Sequence, residues 1–115
     1  MPRDPRAYLW EALEASIHIG DFVREKSLRD YENDLLLRSG VERQLEIIGE
    51  ALNSLSRSDA ELASRVPDLR NIVGLRNILI HGYAEVDDAR VWDLVSDHLP
   101  TLRDTLQTLL DEREG

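Results

Sequence analysis

Residues 37–55 read LRSGVERQLEIIGEALNSL and decide the fold of this chain. The apolar residues in this stretch are separated by four, four, three, four and three positions, a spacing that places their side chains on one face of an α-helix. We therefore predict a long helix that buries this face in a core. The apolar positions are Leu37, Val41, Leu45, Ile48, Leu52 and Leu55.

Two glycines, Gly40 and Gly49, fall inside this predicted helix. Each costs about 1 kcal/mol relative to alanine in a helix interior. Close approach of another helix would account for glycine at such a position. We also take these glycines as one of two grounds for predicting a homodimer.

The same periodicity predicts helices on both sides of this stretch. A first helix runs from about Asp4 to Arg24, with Pro5 suited to its first turn. It is followed by a polar stretch from Lys26 to Asp34. After the long helix, Ser58-Asp59 offers an N-cap for a short helical turn.

Two more helices are predicted towards the C-terminus. Pro67-Asp68 marks the start of the first, which we expect to end at about His81 because Gly82 can adopt the left-handed backbone that closes a helix. The final helix begins near Asp87-Asp88, whose negative charges suit a helix N-terminus. Pro100 should kink this helix rather than end it, since the apolar spacing continues in phase.

No segment alternates as a β-strand does, so we predict an all-α fold, an antiparallel helical bundle of four to five helices in a single domain spanning residues 1–115. The composition, with 42% hydrophobic and 32% charged residues, is that of a globular protein. The chain has no cysteine, which excludes disulfides and thiolate zinc sites, and no apolar run of signal or membrane-spanning length. We therefore expect a cytoplasmic protein.

The formal net charge of −9 opposes binding to a nucleic acid, because phosphate binding draws on lysine and arginine. The acidic excess is uneven, however: nine of the 23 acidic residues but only three of the 14 basic residues lie from Glu85 onward. All basic residues except Lys26 are arginine, the side chain suited to forked phosphate contacts.

Residues 74–83 read GLRNILIHGY and contain the pattern Arg-x4-His-x-Tyr. This pattern resembles the signature of HEPN domains, and the Asn after the Arg together with the Tyr after the His resembles the HepT-like toxins. Residues 41–51 (VERQLEIIGEA) resemble the second-helix block of that family, and Val86-Asp87 with Val91-Trp92 resembles the start of its last helix. The blocks occur in the family's order over nearly the whole chain. The motif residues are Arg76, Asn77, His81 and Tyr83.

The resemblance implies a metal-independent endoribonuclease that cuts an RNA substrate, needs no cofactor and is the toxin of a type VII toxin–antitoxin pair. It implies Arg76, His81 and Asn77 as the catalytic residues. It also implies that an MntA-like nucleotidyltransferase antitoxin attaches AMP to Tyr83 and so silences the site.

The residue types fit that chemistry. A ribose 2′-hydroxyl can attack its adjacent phosphate if one group moves protons and another stabilises the charge on the phosphorane. His81 can accept or donate a proton near neutral pH. Arg76 stays cationic and can hold two phosphate oxygens in its fork. Asn77 could orient His81 or a phosphate oxygen through its amide.

The spacing of Arg76 and His81 raises a geometric question. Five residues on a regular helix correspond to about 140° of rotation, so the two side chains face different ways. They converge only if the helix ends at His81, or if two subunits pair so that both motifs line one cleft. Such pairing is the second ground for predicting a homodimer, and it would also gather arginines from two chains.

Each candidate residue also has an ordinary interpretation. Arg76 could form a surface ion pair, and His81 with Gly82 could be a plain helix C-terminus. His18 and His98 lie in predicted helices without a second ligand at a suitable spacing, so we expect no metal site at either. Three aromatic residues could belong to a core or interface, and three glutamates spaced by four could form a solvated helix face rather than a carboxylate metal cluster. These residues are Tyr83, Trp10 and Trp92, and Glu42, Glu46 and Glu50.

Two functions from different classes therefore remain open. The first is the ribonuclease toxin, active as a homodimer. The second is a non-catalytic helical binding module that pairs with a nucleotidyltransferase without cutting RNA. The intact set of four motif residues favours the enzyme, because a binding module has no chemical need for all four. The acidic net charge favours the module.

Overall fold

A computed structural model describes residues 3–81 and 87–114. Residues 113 and 114 are described by their backbone alone. All regular structure within these residues is helical, which confirms the predicted all-α bundle. None of the described helices combines the length and apolar character that crossing a bilayer requires. The α-helices are α1 (Pro5–Phe22), α2 (Leu28–Glu32), α3 (Leu35–Ser58), α4 (Ala60–Ala63), α5 (Leu69–His81), α6 (Asp88–Asp93) and α7 (Leu99–Glu114).

The long helix α3 lies at the centre of the bundle. It packs against both α1 and α5, and α1 packs in turn against α7. The predicted apolar stripe of α3 is buried along the whole helix. Burying one such side chain stabilises the fold by roughly 1.5–3 kcal/mol, so the stripe is a large part of what holds the bundle together. The same core includes Leu9 and Ile19 of α1, Ile72 and Leu75 of α5, and Leu102 and Leu106 of α7.

Aspartate side chains cap the N-terminal ends of four helices. Asp4, Asp34, Asp59 and Asp87 each accept a hydrogen bond from a backbone N–H in the first turn of the helix that follows. Such a cap contributes about 1 kcal/mol. The predicted helix starts at three of these positions are therefore confirmed, as is the place of Pro5 in the first turn of α1.

The polar stretch after α1 contains the short helix α2, which the apolar spacing does not predict. A capping box starts it: the Ser27 hydroxyl accepts from the Asp30 N–H at 3.1 Å, and the Asp30 carboxylate accepts from the Ser27 N–H at 2.9 Å. The hydrogen bonds that the backbone N–H and the hydroxyl of Ser27 make to the Asp30 carboxylate lower its pKa. At the other end of α2, Arg38 donates to the carbonyl oxygens of its last two residues. Local polar contacts rather than a buried face define this helix.

Tyr31 ties α2 to the core. Its side chain is fully buried, and its ring lies 5.5 Å from the ring of Trp92 between the two centroids. Burial raises the pKa of the Tyr31 hydroxyl well above its ordinary value, and that hydroxyl has no hydrogen-bond partner among the described residues. The interpretation of Trp92 as a core aromatic is confirmed, whereas Trp10 is 56% exposed.

The last helical segment departs from regular α-helix just before Pro100. Residues Leu94–His98 form a π-helical turn between α6 and α7, in which the Leu99 N–H donates to the Leu94 carbonyl oxygen. Pro100 is then the second residue of α7, a position where its missing N–H costs little. The segment continues past the proline, as predicted, and the irregularity takes the form of a widened turn ahead of it.

Both glycines of α3 face other helices of the same chain. A Cβ atom at Gly49 would collide with the Cβ of Arg76 in α5 and would lie 2.8 Å from its Cγ. A Cβ atom at Gly40 would lie 3.3 Å from the ring of Phe22 in α1. The close approach predicted for these positions is confirmed. Because it occurs within one chain, the glycines no longer support a homodimer.

Candidate active site on α5

Helix α5 buries one side and presents a polar face on the other. Ile72 and Leu75 are buried, whereas four residues spaced by four, three and four positions are exposed. A Cβ atom at Gly74 would meet no described atom within 4 Å, so the space above the helix is open at that point. The four residues, which we call the polar face of α5, are Arg70, Gly74, Asn77 and His81.

Arg76 lies beside this face, with its side chain partly buried against α3. Its Cβ and Cγ fill the space that the absent side chain of Gly49 leaves. Its Nη1 donates to Asn77 Oδ1 at 2.9 Å, and its Nε is buried without a partner among the described residues. A buried donor without a partner costs about 1–3 kcal/mol.

Asn77 orients Arg76 rather than the groups first expected for it. The sequence predicts that its amide holds His81 or a phosphate oxygen, but its Oδ1 accepts the hydrogen bond from the guanidinium of Arg76. The Nδ2 of the same amide remains a donor on the polar face, where it can reach an oxygen of a bound molecule. Asn77 therefore links the cation to the exposed side of α5.

His81 is the last residue of α5 and is exposed. Because His81 is itself helical, the end of the helix does not turn its side chain towards Arg76, and about 140° of rotation separates the two. One chain thus brings Arg76 and Asn77 together and places His81 one helical turn beyond Asn77. Convergence through paired subunits stays a prediction. Gly82, expected to close the helix, and Tyr83 lie outside the described residues.

The two other histidines have structural neighbours. His18 Nδ1 lies 3.4 Å from Gln44 Oε1, and the His18 ring stacks on Phe22 with 6.5 Å between the centroids. His98 Nδ1 lies 3.1 Å from Asp68 Oδ2, across the gap between the start of α5 and the π-helical turn. Over residues 3–81 and 87–114, no three histidine, aspartate or glutamate side chains are grouped so that they could hold a metal ion.

Glu42 departs from the predicted solvated face of α3. It is partly buried, and the loss of solvent together with the nearby Asp88 of α6 raises the pKa of its carboxyl. Glu46 forms an ion pair with Arg43 at 3.4 Å, and Glu50 is exposed. The solvated-face interpretation therefore applies to Glu50 and is wrong for Glu42, which is partly buried.

A cleft of about 170 Å³ lies beside the polar face, between α5 and the segment from α6 to the π-helical turn. The buried side chains of Leu75 and Leu94 form its floor. Its rim is polar and comes from both elements. No spacing in the sequence could reveal this cleft, because its residues come from elements that are far apart along the chain. The rim residues are Asn71, Arg90, Asp93 and His98.

Comparison with known proteins assigns the chain to a family. The profile of the family described as Ribonuclease HepT-like matches residues 12–109. A Methanocaldococcus jannaschii protein, named as a candidate RNase, is 35% identical over 88% of this chain and 92% of its own length. A Thermococcus cleftensis protein, named as a candidate ribonuclease HepT, is 33% identical over 95% of this chain and 98% of its own length.

A third relative, a candidate RNase of Caldanaerobacter subterraneus subsp. tengcongensis, is 31% identical over 97% of this chain and 99% of its own length. Among solved structures, none matches this chain significantly. The family profile covers the polar face of α5 and the helices that position it. On this agreement over nearly the whole length, the chain belongs to the ribonuclease HepT-like family of HEPN proteins.

Proposed function

We propose that this chain is an endoribonuclease that cuts RNA without a metal ion, with Arg76 and His81 as catalytic residues. Membership of the ribonuclease HepT-like family carries the proposal, and relatives named as candidate RNases support it. The hydrogen bond of 2.9 Å from Arg76 to Asn77 adds a physical argument, because it fixes a guanidinium next to the exposed His81 face. Asn77 acts as the third member of the site.

The reaction is an attack by a ribose 2′-hydroxyl on its own adjacent phosphorus. The bond from the 2′-oxygen to phosphorus forms, and the bond from phosphorus to the 5′-oxygen of the next nucleotide breaks. His81 takes the proton of the attacking hydroxyl or supplies one to the leaving 5′-oxygen. Arg76 stabilises the charge that collects on the non-bridging oxygens, where a preorganised cation lowers the barrier most.

The complete site needs two copies of the chain. On a regular α5, Arg76 and His81 leave the helix in different directions, so an Arg76 from one subunit facing a His81 from the other is the arrangement we propose. Pairing also brings together the cations of two polar faces. This raises the local positive potential in a chain whose net charge is −9.

The proposed biological setting is a toxin–antitoxin pair. Its partner is an MntA-like nucleotidyltransferase that attaches AMP to Tyr83, a proposal that rests on the resemblance of the Arg-x4-His-x-Tyr motif. Tyr83 follows His81 by two residues, so a nucleotide attached to it adds negative charge close to the place where RNA phosphate must bind. Like-charge repulsion then opposes substrate binding, as phosphorylation does at other sites.

The central test compares purified wild-type protein with His81→Ala and Arg76→Ala on single-stranded RNA. Each substitution should lower the cleavage rate a hundredfold or more, roughly the loss seen when a catalytic hydrogen-bond donor is removed. Far-ultraviolet circular dichroism should show unchanged helical content. His18→Ala and Arg57→Ala are matched controls, since each removes the same kind of side chain from an exposed helical position outside the motif and outside the polar face of α5.

Cleavage should persist in EDTA, because the proposed chemistry uses only protein groups. Loss of activity in EDTA that returns with a divalent cation would contradict the metal-independent mechanism. The acidic net charge favours a second function, a binding module that pairs with a nucleotidyltransferase without cutting RNA. A protein that binds such a partner while leaving RNA intact, whether Arg76 and His81 are present or replaced, would establish this alternative.

A further inference from the structure

We infer that the cleft beside the polar face of α5 is a subsite for one unpaired cytosine of the RNA, close to the bond that is cut. This inference rests on the proposed ribonuclease function and adds a preference for one base to it. Four features of the described residues carry it: the size of the cleft, its rim, the anchoring of His98 and the open surface at Gly74.

The size of the cleft suits a single ring. Its volume of about 170 Å³ is below the roughly 300–1,000 Å³ of typical small-molecule sites. The buried side chains of Leu75 and Leu94 give it an apolar floor. A pyrimidine ring can lie on such a floor and present its polar edge to the rim, whereas a purine has a second ring to accommodate.

The rim offers donors and acceptors in a mixture that suits a neutral base. Arg90 and Asn71 supply side-chain N–H donors, and neither side chain hydrogen-bonds to another described residue. Asp93 supplies a carboxylate on the same rim. That carboxylate repels a phosphate group, so an anion is a poor occupant. The edge of a nucleobase, which presents donors and acceptors side by side, is complementary to this set.

The His98 side of the rim is held in place. His98 Nδ1 lies 3.1 Å from Asp68 Oδ2, and Asp68 has the left-handed φ of 60° that non-glycine residues rarely adopt. The π-helical turn that ends at His98 is a second local departure from regular backbone. Such turns often occur at functional sites. Two irregular segments thus meet at the rim of one cleft.

The surface between the cleft and His81 leaves room for an RNA strand. Asn71 and Asn77 are six residues apart on α5, about 9 Å along the helix axis. Gly74 lies between them, and a Cβ atom there would meet no described atom within 4 Å. A strand whose reacting phosphate lies near Asn77 can therefore cross the helix at Gly74 and place a neighbouring base in the cleft.

Asp93 determines which pyrimidine fits. The N4 amino group of cytosine donates to a carboxylate, while the N3 and O2 atoms of the same ring accept from Arg90. Uracil carries a carbonyl oxygen at C4 and a proton on N3. In the same orientation its O4 would face the Asp93 carboxylate, acceptor against acceptor, and its N3–H would face the N–H donors of Arg90. The rim should therefore bind cytosine more tightly than uracil.

The test measures binding of fluorescein-labelled adenosine tracts that carry a single cytosine or uracil, with 2′-deoxy sugars at that nucleotide and its neighbours so that the RNA stays uncut. Fluorescence anisotropy should show about tenfold tighter binding of the cytosine RNA by the wild-type protein. Asp93→Asn replaces an acceptor by an amide that can donate, and it should remove or reverse the preference. Arg90→Ala should weaken binding of both RNAs.

Asp104→Asn is the matched control, because Asp104 is exposed and does not line the cleft. Equal affinity of the wild-type protein for the two RNAs would overturn the inference, as would the same change of preference in Asp104→Asn and Asp93→Asn. A parallel cleavage assay on all-ribose RNA separates the two proposals. Base preference without cleavage would refute the ribonuclease and leave the subsite standing, and cleavage without base preference would do the reverse.

Discussion

Gly49 sets the position of Arg76, because any side chain at residue 49 would occupy the space that the Cβ and Cγ of Arg76 fill. The carbonyl oxygen of Ile72 would also lie 3.3 Å from a Cβ at residue 49, so the backbone of α5 as well as the arginine would have to move. A displacement of about 1 Å in a catalytic group can cost a hundredfold in rate. A residue that cannot touch RNA therefore influences the geometry of the site.

Gly49 and Gly74 should respond to the same substitution with opposite signs. Gly74→Ala should raise the free energy of unfolding by about 1 kcal/mol, because it restores helix propensity at an exposed position. Gly49→Ala should lower it by about 1–3 kcal/mol, because the added methyl group overpacks the contact with Arg76. Urea unfolding followed by circular dichroism measures both. Stabilisation of both variants would show that α5 does not lie as close to α3 as described.

Attachment of AMP to Tyr83 is the test of the proposed antitoxin partner. Incubation with a partner nucleotidyltransferase and ATP should add the mass of AMP to a peptide that contains Tyr83, and RNA cleavage should fall in proportion. Tyr83→Phe should cut RNA but resist this silencing, because it keeps the ring and removes the acceptor. Tyr31 is fully buried, so Tyr8 is the competing acceptor and Tyr8→Phe the matched control. AMP found on Tyr8 would refute the assignment.

At the scale of helices, spacing predicts the elements that bury an apolar face. Helix α3 is the clearest example, since the six positions of its stripe are all buried. Apolar spacing does not predict the short α2, because a single fully buried side chain, Tyr31, forms no stripe. The helix depends instead on the capping box of Ser27 and Asp30. That pair is itself a readable signature, a serine followed three residues later by an acidic residue.

The site is predictable from sequence in its residue types but only partly in its contacts. The motif predicts Arg76, Asn77 and His81 as site residues, and the glycine at residue 49 predicts a closely packed helix. The hydrogen bond from Arg76 to Asn77 depends on side-chain conformation, which no spacing encodes. The identity of the helix that meets Gly49, and the cleft between α5 and α6, depend on how separate elements pack together.

The partly buried Glu42 of α3 should make stability depend on pH. Burial and Asp88 raise the pKa of Glu42, so the folded state binds this proton more tightly than the unfolded state does. The free energy of unfolding that Glu42 contributes is therefore fully present at low pH and decreases as the pH rises through the raised pKa. Removing the charge should stabilise the protein at neutral pH.

The measurement is the thermal midpoint of Glu42→Gln and wild-type protein at pH 7 and pH 4. The variant should melt at a higher temperature than the wild type at pH 7, and this difference should shrink at pH 4, where Glu42 is largely protonated. Glu50→Gln is the matched control, since Glu50 belongs to the same series but is exposed. A difference for Glu42→Gln that is equal at the two pH values would contradict this account.

At the scale of the whole molecule, the negative net charge opposes the proposed binding of RNA. The chain carries a charge of −9, and its acidic excess is greatest from Glu85 onward, in the segment that contains α6 and α7. For the proposed ribonuclease activity, the polar face of α5 has to attract a polyanion within that field. Two copies with facing α5 helices would concentrate the positive charge of Arg70 and Arg76 in one place. The fold itself, with its glycines occupied inside one chain, neither requires nor prevents that pairing.

Mixing two inactive variants tests whether the site is shared between subunits. Arg76→Ala retains His81, and His81→Ala retains Arg76, so a mixed dimer contains one site in which the retained arginine faces the retained histidine. Random pairing of equal amounts makes about half of the dimers mixed, each with one working site of two, and should restore about a quarter of the wild-type cleavage rate. A site confined to one chain would stay inactive in every combination.

Light scattering should give a dimeric mass, and mass spectrometry of differently tagged chains should confirm that mixed dimers form. Mixed dimers without activity would place Arg76 and His81 of one chain in the same site, and a monomeric mass at micromolar concentration would refute the shared site altogether.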